Sequence, residues 1–557
     1  MFSRASLKYA PCATIRYTLA YPPSRKPSPG NQILHYTVKQ RVARIEAANL
    51  APLLKGSMVG LEKESLRVNS EGTIAQTPHP VAFGSALAHP YITTDYSEAL
   101  LEFITPPFHE AGEALGFLRD LQQFVYNRME SELLWATSMP CVVGGEEGIP
   151  IAHYGSSNAG MMKTVYRRGL GYRYGRVMQV IAGVHMNYSF SDAFWQALQQ
   201  LEGDDRTLQD YISDRYFDLL RNLLRVGWLI PYLFGASPAV CKSFLQGKPS
   251  SLESFDEYTY YEPYATSLRM GDIGYQNNKE NEVGIKANYD SLADYVESLS
   301  CAINTASPEY EKIGVKVDGE YRQLNANILQ IENEYYSTVR PKQLLQGYEK
   351  PSLALKRRGV RYLELRSLDV NAFDPLGINE SQLHFIEALL LYCLLADSPP
   401  ITPQERVEID QNEMLAAHRG REPGLTLKRC GKAITLQQWA LELCEGMEAV
   451  CDLLDSNTTK RPYHQALARQ RRAVENPDLT PSARMLAEMR NGKESFFELA
   501  RRKSLEHQWY FAELPIDRER EQMLTELAER SLQKQRAIEA SDSVDFDTFL
   551  QQYAAQG

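Results

Sequence analysis

The stretch Val59-Gly60-Leu61-Glu62-Lys63-Glu64-Ser65-Leu66-Arg67-Val68 is followed by Ile92-Thr93-Thr94-Asp95-Tyr96-Ser97-Glu98-Ala99-Leu100-Leu101-Glu102-Phe103-Ile104-Thr105-Pro106-Pro107. Read as strands, they place Glu62 and Glu64 on one face, because side chains i and i+2 share a side of a pleated strand. Glu102 lies in Leu101-Glu102-Phe103-Ile104, a run apolar enough to enter a core. Carboxylates carried into a core are unfavourable unless paired, protonated or metal-bound. Oxygen clusters of this kind suit divalent cations that handle phosphate.

Working outward, Gly183-Val184-His185-Met186-Asn187-Tyr188-Ser189-Phe190 alternates strictly. His185, Asn187 and Ser189 fall on one face and Val184, Met186, Tyr188 and Phe190 on the other, which predicts a strand with one polar side. Asn325–Glu334 and Tyr362-Leu363-Glu364-Leu365-Arg366 are two further predicted strands. Helix is expected over Val38–Leu54, His109–Trp135 and most of Asp205–Phe234, with a Gly-rich loop region at 136–165. From Gln382 onward the pattern is almost all helix, broken at Ser398-Pro399-Pro400. Strands before residue 370 and helices after it predict an α+β architecture with an antiparallel sheet rather than βαβ units. Polar faces on such strands can simply meet solvent. Glu, His, Asn and Arg dominate these faces, where a plain exposed strand favours Thr and Lys, and that composition points to a site.

The 557 residues are expected to divide into a basic, disordered extension (1–37), a core that carries the strands (38–400) and a helical C-terminal region (401–557). A net charge of −10 argues against a sequence-independent nucleic-acid binder. The longest apolar run, Ala388–Ala396, is too short to span a bilayer. Eight scattered cysteines without a C-x-x-C pair fit free thiols in a reducing, cytoplasmic setting. Residues 1–45 contain no Asp or Glu. A disordered tail or an upstream start codon accounts for that better than a transit peptide. No obligate protein partner is evident.

No G-x-x-x-x-G-K-[ST] loop is present, and Gly169-Leu170-Gly171-Tyr172-Arg173-Tyr174-Gly175 lacks the G-x-G-x-x-G spacing. A nucleotide would therefore be held by metals and arginines. Glu364 and Arg366 share a strand face, where a carboxylate can hold a metal and a guanidinium can neutralise a transferring phosphoryl group. A surface Glu–Arg pair is the competing reading. His185 is noteworthy as a ligand only if carboxylates surround it, since Mg²⁺ prefers oxygen. Tyrosines and arginines around Tyr166-Arg167-Arg168, Arg269, Tyr275 and Tyr336 suit an amino-acid pocket, and equally ordinary packing.

These strings resemble the proteobacterial-type glutamate–cysteine ligases. The matching segments include Gly60–Val68, His89–Asp95, Ala99–Thr105, Gly227–Phe234, Gln330-Ile331-Glu332-Asn333-Glu334, Val339-Arg340-Pro341-Lys342 and Leu365–Asp369. The resemblance implies a glutamine-synthetase-like antiparallel sheet curved into a funnel and surrounded by helices. It implies ATP-dependent joining of the γ-carboxyl of L-glutamate to the amine of L-cysteine through a γ-glutamyl phosphate, the first step of glutathione biosynthesis. By position it makes Glu62, Glu64, Asp95, Glu102, His185 and Glu364 ligands of Mg²⁺, with Mn²⁺ as a substitute. Arg366 and Glu364 become catalytic, and Tyr166, Arg167, Arg269, Tyr275 and Tyr336 become the amino-acid pocket. Glu332 and Glu334 match the string without receiving a role, and the C-terminal helices, where the resemblance is looser, receive none. The length left over has no room for a second ligase domain. The alternatives are a related carboxylate–amine ligase with another acceptor, or a non-catalytic metal- or thiol-binding regulator. The regulator would be expected to lose one of these carboxylates or Arg366.

Overall fold

The computed structural model describes residues 32–274, 286–456 and 458–556. Helix α1 (Gln32–Ala47) buries Val38, Val42 and Ile45, a helical spacing, and begins six residues before the expected boundary at 38. The central sheet contains β1 (Met58–Val68), β2 (Ile92–Thr94), β3 (Leu100–Ile104), β4 (Leu133–Leu134), β5 (Gly183–Ser189), β6 (Val339–Lys342) and β7 (Tyr362–Asp369). Its order is β6-β7-β5-β1-β3-β2, with β4 pairing the end of β1, and every pairing is antiparallel. The predicted α+β class and antiparallel sheet hold.

Helices pack behind and around this sheet: α2 (Ala111–Tyr126), α3 (Asn158–Tyr174), α4 (Leu208–Val226), α5 (Pro351–Arg358), α6 (Glu380–Leu395), α7 (Pro403–Arg419) and α8 (Leu436–Asp455). One large apolar core joins the back of the sheet to α2, α4, α6 and α8. Helix α6 is buried almost all round and starts in a capping box formed by Asn379 and Gln382. The chain closes with α9 (Arg518–Ser541) and α10 (Phe546–Ala554).

Four local expectations change. The helix predicted to run to Trp135 stops at Tyr126, because Leu133 and Leu134 are drawn into the sheet opposite Val68 and Arg67. Helix α3 starts inside the predicted loop region, where Ser157 caps it by accepting the Gly160 amide. Asn325–Glu334 is not a strand. Asn325, Gln330 and Glu334 bond to nearby backbone amides instead, closing a compact loop that ends in a 3-10 turn at Glu332–Glu334. The helical C-terminal region contains one hairpin, Thr426–Arg429 with Lys432–Thr435, turning through Cys430 and Gly431 at positive φ.

Candidate active site

The ladder registers bring the polar residues together. Glu62 pairs directly with His185, Glu64 with Glu102, Asn187 with Glu364, and Glu364 with Arg340. Residues opposite one another on antiparallel strands point to the same side. The separate polar faces read from sequence are therefore one face, drawn from β1, β3, β5, β6 and β7.

A cleft of about 1150 Å³ lies over that face and is lined by Glu62, Glu64, Asp95, Glu102, Tyr166, Arg167, His185, Arg269, Tyr336, Glu364 and Arg366. Every candidate named from sequence is there except Tyr275, which lies outside the described residues. A larger cleft of about 1440 Å³ opens behind the sheet, around Tyr188 and Glu387. It gathers none of these side chains.

The acids fall into two groups. Glu62, His185 and Glu364 each offer a ligand atom within 4.8 Å of the other two. Glu62 accepts from Asn187 Nδ2 at 2.8 Å and lies 3.1 Å from His185 Nδ1. Burial opposes its charge, but the His185 contact and the Lys342 ammonium outweigh that and lower its pKa. Glu364 Oε1 lies 3.2 Å from both Lys342 Nζ and Arg366 Nη1. Those cations overcome burial and hold its carboxyl well below the usual range. Burial, with Arg366 close by, lowers the His185 pKa.

Glu64, Glu102 and Asp95 form the second group. Burial and then Asp95 push Glu64 up to about 8, although its Oε2 accepts the Gly183 amide at 2.6 Å. Burial and the surrounding acids, Glu62 foremost, raise Glu102 well above the usual carboxylate range. Asp95 sits at the β2–β3 turn with its side chain nearly half exposed, 3.9 Å from Arg167 Nη2. Acids gathered closely enough to raise one another's pKa form a negative cluster that a divalent cation would neutralise. Glu364 Oε2 and Asn187 Oδ1 are, in addition, buried oxygens with no hydrogen-bond partner among the described residues. The donor set of carboxylate and amide oxygens with one imidazole fits Mg²⁺ or Mn²⁺.

The cations are placed as deliberately. A register shift between Leu365 and Leu368 bulges β7 at Arg366 and Ser367, which re-aims Arg366 to within 3.5 Å of His185 Nδ1. Arg269 supports that bulge from behind, donating to the Arg366 carbonyl at 2.9 Å and facing Asp369 at 3.7 Å. Its guanidinium reaches Gly183 so closely that an added Cβ there would sit 2.1 Å from Nη2, so a side chain at 183 would displace Arg269. Arg167 stacks 4.6 Å from the Tyr154 ring and donates to the Asp95 carbonyl. Tyr336 rests on Met270, hydroxyl to sulfur 3.6 Å, and burial pushes its pKa up to about 12.

Three groups of lining residues received no role from sequence. Arg340 and Lys342 lie at alternate positions of β6, a period-2 signal visible in Val339-Arg340-Pro341-Lys342. Lys163 precedes Arg167 by one helical turn, and burial with Arg167 nearby lowers its pKa to about 8. Arg530, Lys534, Phe549 and Tyr553 come from α9 and α10, where no local pattern pointed to the cleft. Glu332 and Glu334 are structural. Glu332 accepts the Ser352 amide at the start of α5, and Glu334 pairs with buried Arg173 at 2.9 Å.

The sequence pattern described as "Glutamate-cysteine ligase" matches residues 42–415. The chain belongs to the glutamate–cysteine ligase family. A glutamate–cysteine ligase of Alcanivorax borkumensis is 48% identical over 521 residues, covering 93% of this chain and 99% of its own. One from Pseudomonas aeruginosa is 47% identical, covering 93% and 98%. The crystal structure of glutamate–cysteine ligase from Francisella tularensis in complex with AMP has a TM-score of 0.84 at 36% identity, over 90% of this chain and 97% of that one. Fold and family agreement thus extends beyond 415 into the C-terminal helices of this glutamate–cysteine ligase family member.

Proposed function

We propose that the cleft joins the γ-carboxyl of L-glutamate to the amine of L-cysteine at the expense of ATP, giving γ-glutamylcysteine, the first step of glutathione biosynthesis. The observation that carries this reading is the single sheet face on which Glu62, His185 and Glu364 stand beside Arg366 and Lys342. Family membership and the AMP held by the Francisella tularensis relative support ATP as co-substrate.

A free carboxylate does not accept an amine at neutral pH, because its leaving group is too poor. A γ-carboxylate oxygen attacks the terminal phosphorus of ATP, and ADP leaves. The cysteine amine then attacks the acyl carbon, loses a proton and expels phosphate. Glu62, Glu64, Asp95, Glu102, His185 and Glu364 would hold Mg²⁺, or Mn²⁺ in its place. The bound metal would neutralise the triphosphate and the transferring group. Arg366, with Lys342 and Arg340 beside it, faces the charge that develops during phosphoryl transfer. Tyr166, Arg167, Arg269 and Tyr336 line the part of the cleft suited to the two amino acids, and Tyr275 completes that set in the reading from sequence. The cleft walls shield the acyl phosphate from water.

The reading places the protein in the cytoplasm. All seven described cysteines are free thiols, as in a reducing compartment, and no helix among the described residues is long and apolar enough to cross a membrane. ADP release with glutamate plus cysteine, against glutamate plus 2-aminobutyrate, glycine or no acceptor, tests the reaction. Stronger release with another acceptor overturns the cysteine assignment, and no release with any overturns the ligase reading.

A further inference from the structure

The two walls of the catalytic cleft come from distant parts of the chain. One wall is α3, which carries Lys163, Tyr166 and Arg167; the other is β6 with the loop that follows it, Gln343–Lys350. Helix α10 spans from one to the other, and its two ends are fastened differently.

At its N-terminal end, the link from α9 into α10 grips the start of α3. The Asn158 amide donates to Asp542 Oδ2 at 2.6 Å, and Asn158 Nδ2 to the Val544 carbonyl at 2.8 Å. The Ser156 amide donates to Glu539 at 3.0 Å. Phe546 is buried with Val165 and Leu324, in a cluster that also packs Tyr166 and Phe549. At its C-terminal end, Lys350 takes over. Its Nζ donates to the carbonyls of Ala554 and Gln556, each at 2.8 Å, and its amide donates to Gln556 Oε1 at 3.0 Å. Gln556 returns a bond to the Tyr348 carbonyl at 3.0 Å, and the Tyr348 ring meets Phe549 edge-on at 5.9 Å. A lysine ammonium on the last carbonyls of a helix also complements the helix dipole. Lys350 itself is only 8% exposed, so its side chain is largely shielded from bulk water.

From this we infer that α10 is a strap that sets the spacing of the cleft walls, and that Lys350 is the positioning residue that fastens it. The inference rests on the ligase reading above and deepens it. The strap holds the α3 wall, and with it the amino-acid pocket, at its working distance from Arg340, Lys342 and Arg366. The functional unit thereby includes the last residues of the chain, beyond the core expected at 38–400. A misplacement of binding groups by an ångström is enough to weaken substrate capture severely.

The test compares full-length wild type with Lys350→Met, Lys350→Arg and Phe549→Ala, using ADP release for kinetics and hydrogen exchange for structure. Lys350→Met and Phe549→Ala are expected to raise the KM of an amino-acid substrate roughly tenfold while the KM for ATP and the melting temperature stay near wild type. Lys350→Arg keeps the donors and restores most of the loss. In both weakened variants, amides in the first turns of α3 and in residues 343–350 exchange faster. Unchanged exchange in those two segments overturns the strap, whether or not the wild type is active. Unchanged amino-acid KM values in an active protein overturn its positioning role. So does a joint collapse of kcat and melting temperature that arginine does not rescue. A wild type that releases no ADP counts against the ligase reading instead, and the exchange measurement still decides the strap.

Discussion

Glu62 Oε2 lies 3.1 Å from His185 Nδ1, its direct register partner across the β1–β5 ladder. The pair sits at the centre of the polar face, with Glu364 completing a set of three ligand atoms. Glu62→Gln retains the side-chain shape but removes the charge that a divalent cation would need. We expect ADP release to fall by about 100-fold or more in Glu62→Gln and in Glu364→Gln, with circular dichroism unchanged. Near-normal turnover in either variant would remove that carboxylate from the machinery.

Arg366 and Glu364 test the phosphoryl-transfer role separately. The bulge in β7 holds Arg366 Nη1 3.2 Å from Glu364 Oε1 and 3.5 Å from His185 Nδ1, fixing the planar guanidinium beside both groups. Lysine offers a single point charge on a flexible stem and cannot reproduce that geometry. Arg366→Ala is expected to abolish ADP formation with the fold intact. Arg366→Lys should lower kcat by about 100-fold with a smaller change in KM, because the interaction belongs to the transition state. A change confined to KM would make Arg366 a ground-state binding residue.

Glu64 and Glu102 face each other directly on β1 and β3, so ionising both sets like charges opposite one another, an interaction that destabilises a sheet. A divalent cation between the strands would reverse the sign of that interaction. Adding Mg²⁺ to metal-free protein is therefore expected to raise its melting temperature; at 100 times the dissociation constant the gain is about 2.7 kcal/mol. Glu102→Gln should melt higher than wild type without metal and gain less from Mg²⁺. A scanning-calorimetry series in which Glu102→Gln gains as much as wild type contradicts this.

The opening strands were legible because their information is local: a period of two places Glu62 beside Glu64 and Glu364 beside Arg366 whatever surrounds them. Which strand lies next to which was not legible, since register depends on contacts between residues more than a hundred positions apart, such as Glu62 with His185. Lys342 illustrates the limit. Its position on β6 gives it no distinction until β7 brings Glu364 within 3.2 Å. The Asn325–Glu334 segment misled for the opposite reason. Polar and apolar residues alternate over its first four positions, but short amide side chains satisfied the backbone within the loop and left nothing for a ladder. The strap residues on α10 were invisible because their effect depends entirely on where the chain end returns.

Glu334 also carries a stability prediction. Its carboxylate and the Arg173 guanidinium are almost completely buried and 2.9 Å apart. Tyr174 and the Gln330 amide complete its bonding at 2.8 and 2.6 Å. Removing one partner of such a pair strands the other charge in a poorly solvating interior. Glu334→Gln should cost about 3–5 kcal/mol in urea unfolding, with an unchanged m-value. A loss below 1 kcal/mol would mean that Arg173 is satisfied by its other acceptors, the Asn325 and Ile328 carbonyls and Gln323 Oε1.

His418, near the end of α7, supplies a pH-dependent test remote from the acids of the cleft. Its Nδ1 lies 2.8 Å from Glu262 and its Nε2 3.2 Å from Asp272. Burial alone would lower its pKa, but the contacts with Asp272 and Glu262 prevail and hold it at about 9. The unfolded chain has an ordinary histidine value of about 6.5. The folded value is the higher one, so the stabilisation is fully present below about pH 6.5 and is lost as pH rises through about 9. His418→Gln should therefore lower the melting temperature more at pH 6 than at pH 10. Because Asp272 is 63% exposed, high salt should shrink the difference at pH 6. Equal deficits at the two pH values would show that His418 acts through packing rather than through its charge.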